Sequence, residues 1–458
     1  MTPPRPVHPA VTGALIALAS TGAFAAQSRT SYVVNEITAF NANLSPEARA
    51  EKYTRMKESA FSFYRGSNHL YWKDFGNSSQ LSTYGGSSST RTWLGGDMHV
   101  NNTGAFDDDQ GDIVFGLNDF DEAVIGDYQL DVWRMATSLV LVARENGVFS
   151  SSDEATILDA FSEAYLDAMA DYAGNGGETT KKFTASNTYG RLNNFLADTA
   201  ANDSRVKLLD KYTVKVNGVR QFNTATNPDL AAVSSAVDSD IRSRMSSYRS
   251  TLSGGATWPS GYFTVKSVAQ RLHAGIGSLG VTRYYVLIEG ATSSQDDDRI
   301  LDVKAQRTPS AWPYLSASSV SLTSSVCGDN MAVRTVQAYK ALGYRVDDHL
   351  GWMTLADGIP YSVREVSPWK ETFPTTELDT LTRFTNLAEQ WGQVLATHHA
   401  RADKDWDSSV FPYSVDGEIN ARTNGDHAGF RARVRAIATD YATQVRYDYD
   451  SFRTSISP

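Results

Sequence analysis

Cysteine is nearly absent. Cys327 stands alone in 458 residues, so no disulfide within the chain can hold the fold together. Clusters of Lys and Arg are missing as well. With 42 basic against 52 acidic residues and a net charge of -10, nucleic acid and acidic membrane surfaces are excluded as expected partners. Long apolar runs are lacking except near the start, from about Val11 to Phe24. That run is too short to span a bilayer, is preceded by Arg5 and His8, and ends in Ala23-Phe24-Ala25. It reads as an export signal cleaved near Ala25, which implies a periplasmic or secreted protein with no transmembrane segment in the mature chain. No internal repeat is visible. What is present is 41% hydrophobic and 11% aromatic residues, enough for a folded core in two or three domains or one large bilobal unit.

Helix signals begin at Ser45-Pro46-Glu47, with an N-cap serine, a first-turn proline and a glutamate at the positive end. This helix is expected to run through Met56 towards Gly66. Further helices are expected over 129–146, 153–172, 228–252, 330–342, 378–402 and 427–452. Strand signals lie at 92–94, 113–117, 265–272, 281–289, 299–305 and 361–366. Lys211 to Phe222 reads as a hairpin about Asn217-Gly218. The fold class is therefore α+β, with Ser253-Gly254-Gly255 as a boundary between a helical part and a sheet-rich part.

The chemistry concentrates in Gly95-Gly96-Asp97-Met98-His99-Val100-Asn101-Asn102 and Leu117-Asn118-Asp119-Phe120-Asp121. Carboxylates with an Asn at this spacing suit a hard, oxygen-preferring cation such as Mg²⁺, which sits between one or two protein oxygens and substrate phosphates. One carboxylate left over can accept a proton from an attacking hydroxyl. The plainer reading makes Asp97 and Asp119 turn residues. It explains each alone, but not why both motifs end apolar strands in one short segment. His99 is expected to brace the loop, and Asp131 to hold its backbone.

Gly275-Ile276-Gly277-Ser278-Leu279-Gly280 has a G-x-G-x-x-G pattern, which carries little weight by itself. A strand follows it, where a dinucleotide fold or a P-loop needs a helix. A glycine loop between antiparallel strands is instead the device that covers nucleotide phosphates in protein kinases. The alternative is an ordinary glycine-rich hairpin. Lys304 sits in a later strand on the face opposite Leu301, Val303 and Ala305, where it can reach phosphates as a point charge. A solvated edge lysine is the bland alternative.

These residues resemble a bacterial family known as domain of unknown function 2252. The resemblance spans most of the mature chain, through Arg55-Met56, Phe61-x-Phe63-x-Arg65-Gly66, Gly96-Asp97-x-His99-x-x-Asn102-x-Gly104, Asn118-Asp119-Phe120-Asp121-Glu122, the glycine loop, Val303-Lys304, Val363-Arg364 and His399-Ala400-Arg401. The individual motifs also resemble the aminoglycoside phosphotransferase and protein-kinase-like superfamily. That resemblance implies Asp97 as catalytic base, Asn102 and Asp119 as metal ligands, and Asp121 as an accessory ligand or support. It also implies that Lys304 with Gly275, Gly277, Ser278 and Gly280 holds the phosphates of ATP or another nucleotide.

The order along the chain differs from that superfamily, because the glycine loop, the lysine and the helix ending Leu395-Ala396-Thr397-His398-His399 follow the Asp97 loop here. The implied fold is a circularly permuted, bilobal, kinase-like one. Residues 26–253 would form a helical lobe with the catalytic loops, 254–370 a smaller antiparallel-sheet lobe, and 371–458 the helices completing the first. One departure concerns the superfamily's Glu partner for its lysine. From Ala305 to Asp348 there is no Glu, and Gln337 occupies a plausible substitute position, with Asp329 a weaker one.

The expected function is Mg²⁺-dependent phosphoryl transfer from a nucleotide to a hydroxyl of a small molecule or a protein. A second reading is an exported, non-catalytic module of the same fold that binds a nucleotide or another phosphorylated ligand. A third is a metal-dependent phosphoesterase, for which the eight histidines are too scattered to build a two-metal site.

Overall fold

A computed structural model describes residues 28–253, 258–273 and 275–457. The expected export segment, and Gly254 and Gly255 of the expected boundary, lie outside them. The fold is mixed α+β with antiparallel sheets.

The larger part is helical. Helices Gln129–Asn146, Ser151–Tyr172, Leu381–Arg401 and His427–Ser455 share one core with the short N-terminal helices Arg29–Phe40, Pro46–Met56, Ala60–Gly66 and Asn68–Phe75. The Gln129–Asn146 helix is buried on nearly every side and stops at Gly147, whose φ of 71° suits a residue without a Cβ. The helix expected to run unbroken from Ser45 towards Gly66 is instead two. Ser59 accepts from Ser62 N and caps a fresh start at Ala60.

Two ribbons are set into this helical part and carry the motifs. Arg91–Leu94 pairs with Val124–Asp127, and Thr103–Asp107 pairs with Ile113–Leu117, all antiparallel. The Asp97 loop leaves the first ribbon and enters the second, and the Asn118–Asp121 turn returns from the second to the first.

The smaller part is a six-stranded antiparallel sheet in the spatial order Gly351–Thr354, Pro360–Glu365, Arg299–Ala305, Arg283–Ile288, Val265–Arg271, Leu230–Ala232. Its end strand and the helix Ser235–Arg249 come from before Ser253. The expectation placed this stretch among the helical elements as one helix over 228–252. It instead opens as a strand pairing Leu230 with Arg271, and Ile241, Met245 and Tyr248 then pack on Val286, Leu301, Val303 and Val363. The Asn217-Gly218 hairpin forms as expected, with φ values of 51° and 78° that its turn requires. Between Arg299–Ala305 and Gly351–Thr354 lie helices Ala317–Cys327 and Met331–Leu342. The second of these stacks Tyr339 on Phe120, with ring centroids 4.3 Å apart.

Candidate functional site

The two parts meet over a cleft of about 260 Å³ whose walls include Asp97, Asn102, Asp119, Asp121, Gly277, Ser278 and Lys304. The sheet's alternation aims Lys304 away from its apolar neighbours and into this space. Its ammonium pairs with the Asp121 carboxylate and donates to Ser278 Oγ at 2.7 Å. Gln306 Nε2 donates to the other Asp121 oxygen at 2.9 Å and is held by Ser362 and Thr335, each also at 2.9 Å. Burial alone would raise the Asp121 carboxyl, but Lys304, with Gln306 and Arg364, holds it well below the usual carboxylate range.

The glycine loop forms a short turn. Gly275 accepts from Ser278 N at 2.9 Å, Ile276 is buried in the helical core, and Gly280 takes φ 78° against Leu44. Ser278 therefore points at the lysine. Gly277 borders the cleft, whereas Gly275 and Gly280 shape the turn that presents it.

Asp97 sits deeper. Its Oδ1 accepts from Arg134 Nε at 2.9 Å and from Nη2 of the same guanidinium. Its Oδ2 faces His99 Nε2 at 3.8 Å and makes no hydrogen bond. Burial raises this carboxyl to about 7 against the pull of Arg134, and nearby Glu122 and Asp119 add to the rise. His99 is itself held neutral by burial and lies edge-on to Phe61 at 5.8 Å; its Nδ1 is buried without a partner, so it packs against the loop and does not brace it by the hydrogen bond expected. Asp131 accepts from Gly95 N at 2.7 Å and from Gly96 N at 3.2 Å, so it fixes the loop backbone. Gly96, at φ 75°, passes so close to the Glu122 carbonyl that a Cβ would collide with it.

Asn102 Nδ2 donates to the Asp97 carbonyl at 2.7 Å, which leaves Asn102 Oδ1 as the available atom. Among the described residues Asp119 accepts only from Asp121 N, at 3.3 Å, through one oxygen. One amide oxygen and one carboxylate on adjoining turns form a donor set that fits Mg²⁺ shared with a phosphate. Among the described residues, the groups of three His or carboxylate ligands close enough to share an ion are Glu163 with Asp167 and His427, and Asp347 with His349 and Glu365. Neither is in this cleft, so its donors suit a metal completed by a ligand's oxygens and not a paired-metal centre.

Gln337 lies half-buried on the Met331–Leu342 helix, outside these contacts. That helix reaches the site otherwise. Thr335 holds Gln306, and Arg334 Nη2 donates to the Asp121 carbonyl at 2.6 Å. The partner of Lys304 thus comes from the acidic turn of the helical part.

Three cations of the site were not assigned a role from sequence. Arg134 is fully buried, between the rings of Tyr64 and Tyr71, at 4.1 and 5.1 Å. Lys52 is buried at the cleft, and burial lowers its ammonium to about 8. Arg65 borders the cleft beside Asp97 and Asp119, with its Nε buried and unpartnered. Arg134 carried a signal, as a charge inside an apolar helix, three residues after Asp131.

The family model described as an uncharacterized protein conserved in bacteria, DUF2252, matches residues 44–455. The chain belongs to the DUF2252 family. No curated protein and no solved structure matches it. The DUF2252 match takes in the Asp97 loop, the acidic turn, the glycine loop and Lys304, while Phe40, Asn41 and Asn43, which also line the cleft, precede it.

Proposed function

We propose that this DUF2252 protein is a Mg²⁺-dependent phosphotransferase with a kinase-like, circularly permuted arrangement, moving a phosphoryl group from a nucleotide to a hydroxyl. The observation that carries this reading is the meeting of Lys304 and Ser278, from the sheet, with Asp121, beside Asp97, Asn102 and Asp119.

Each group then has a task that its environment suits. Asp97 Oδ2, free of hydrogen bonds and on a carboxyl titrating near 7, accepts the proton of the attacking hydroxyl while Arg134 fixes Oδ1. Asn102 and Asp119 are the residues to hold Mg²⁺, with Asp121 in support; the bound ion supplies neutralisation of phosphate charge. Lys304 and the glycine-loop backbone orient the phosphates, and Arg65 and Lys52 add positive charge at the rim. Positioning and charge neutralisation account for most of the acceleration in such chemistry.

The permuted order has its own support. The Leu381–Arg401 helix comes late in the chain, yet its end lies against the strands flanking the Asp97 loop. Thr92 Oγ1 donates to the His399 and Ala402 carbonyls, both at 2.9 Å, and Leu117 N donates to His398 Nε2 at 3.3 Å. An unpermuted chain would join these same neighbours directly.

The test is transfer of the terminal phosphoryl of ATP, with Mg²⁺, to water and to a panel of hydroxyl acceptors. An Asp97→Ala protein that transfers at the wild-type rate overturns the assignment. One observation favours the non-catalytic reading: Lys304 is engaged by an acid of the metal turn and has no Glu on the following helix. Saturable Mg²⁺–nucleotide binding without turnover identifies that case.

A further inference from the structure

A second cavity, of about 380 Å³, adjoins the first, and the boundary between them is one peptide wide: Asp119 lines the cleft described above and Asn118 lines its neighbour. This second space lies on the Lys304 face of the sheet, where a kinase-like reading would seat the nucleobase. Its wall combines aromatic rings, among them Trp258, Tyr262 and Trp369, with a dense set of charges. Asp302 and Arg283 project from neighbouring strands and form a two-point ion pair at 2.6 Å. Beside them stand Arg364 and Lys370.

The charges in this cavity are separated. Glu365 is engaged by Arg205 and Arg299, and Asp347 by His349. Asp107 and Asp348 belong to that same end, since their charged neighbours are Glu365 and Arg205 for the one and Asp109 and His349 for the other, with Asp347 common to both. At the opposite end Arg364 makes no ion pair among the described residues and donates to the Asn118 carbonyl at 3.1 Å. The Lys370 side chain has no hydrogen-bond or ion-pair partner among the described residues. Lys370 is exposed at the cavity edge, and the dense protein around its ammonium, with Arg364 and Arg283, pushes it down to about 7. The Asn118 side chain is 5% exposed, and its Nδ2 is buried with no acceptor. A buried donor without a partner costs about 1–3 kcal/mol, and Asn118 Nδ2 is one; with the unpaired Lys370 ammonium and the Arg364 guanidinium lining the same space, it marks a place for an acceptor.

We infer that Lys370, Arg364 and the Asn118 amide form a second anion-binding compartment, taking a phosphate or carboxylate group that one reactant carries besides the transferred phosphoryl. This rests on the phosphotransfer reading for its place in the reaction, but not for the binding event itself. The substrate class that follows is a small acid or a phosphorylated compound.

The experiment is calorimetric titration of the full chain with inorganic phosphate and, separately, with succinate, using wild type, Lys370→Met, Lys370→Arg and Lys304→Met. Lys370 holds nothing in place, so the thermal midpoint of its variants should match wild type and serves as the folding control. The inference expects one of the two anions to bind, with affinity reduced tenfold or more in Lys370→Met, retained in Lys370→Arg and retained in Lys304→Met. Phosphate alone identifies a phosphoryl-bearing ligand, and succinate alone a carboxylate. Equal binding by Lys370→Met and wild type, or anion binding lost only in Lys304→Met, overturns it. If Lys370-dependent binding persists while Mg²⁺–ATP neither binds nor reacts, the phosphotransfer reading falls and the compartment stands.

Discussion

Two acid–cation pairs share the cleft, and they end at opposite protonation tendencies. Asp97 and Arg134 both come from the helical part, and the guanidinium lies between two tyrosine rings. Asp121 meets Lys304 across the junction with the sheet, and its side chain keeps 24% exposure against 13% for Asp97. Asp121 also feels Arg364 as a second cation, whereas Arg134 is the cation that pulls on Asp97. Asp121 has donors on both oxygens, whereas Asp97 has them on one and feels Glu122 and Asp119 nearby. Loss of water therefore wins at Asp97, and the donors win at Asp121. The first acid can take up and release a proton near neutrality; the second stays charged and suits holding a cation.

Removing the titrating acid should have the largest effect. Asp97→Asn keeps the size and an oxygen for Arg134 but cannot act as a base, so transfer should fall by about 10²–10⁴-fold with the fold intact. Steady-state rates beside thermal midpoints check this. On the proposed reading the deprotonated carboxylate is the active form in the wild type. Its raised value of about 7 makes activity rise roughly tenfold per pH unit up to that point and level off above it. A flat profile from pH 5 to 8 would remove Asp97 from the role of base.

Arg134→Met should come next. It leaves the buried Asp97 without its cation, costs roughly 3–5 kcal/mol in denaturant unfolding, and moves the acid limb of the activity profile to higher pH. A variant as stable as wild type would mean that this pair does not hold the loop.

Lys304→Met breaks the other pair and should cost about 2 kcal/mol at pH 7, the scale of a hydrogen bond to a charged group. Because the folded Asp121 carboxyl is depressed, its stabilisation is present above the unfolded value, near 4, and is lost as pH falls towards the folded value. The gap between wild type and variant should therefore narrow below pH 4. A gap that stays constant would show that Lys304 stabilises by packing and not by charge.

How much of this was legible in the sequence follows from how local each signal is. Gln129–Asn146, closed by Gly147, and the Asn217-Gly218 hairpin depend on neighbours a few residues away, and the periodicity and turn chemistry located both. The residues of the cleft were legible as motifs. What was not legible is pairing over long separations. That Asp121 and not a residue of the following helix meets Lys304, that Leu230 joins the sheet, and that Arg134 is aimed at Asp97 are all outcomes of packing. Lys370 was unreadable for a related reason: its significance lies in having no partner among the described residues, which no spacing encodes.

The smallest expected effect separates two neighbours on one helix. Thr335 Oγ1 donates to Gln306 Oε1, and Gln306 in turn donates to Asp121, so the helix reaches the lysine–acid pair through a relay of two hydrogen bonds. Thr335→Val keeps the shape, removes the donor and leaves a buried amide oxygen short of one partner, which should cost about 1 kcal/mol. Gln337, two residues on and half-buried away from the pair, should tolerate Ala within about 0.5 kcal/mol, with no change in nucleotide affinity. Urea titrations resolve a difference of this size. Were Gln337→Ala the costlier change, the helix would be supporting Lys304 by a side chain that the observed contacts leave idle, and the contrast between an acid set by burial and one set by its donors would need a different lysine environment to survive.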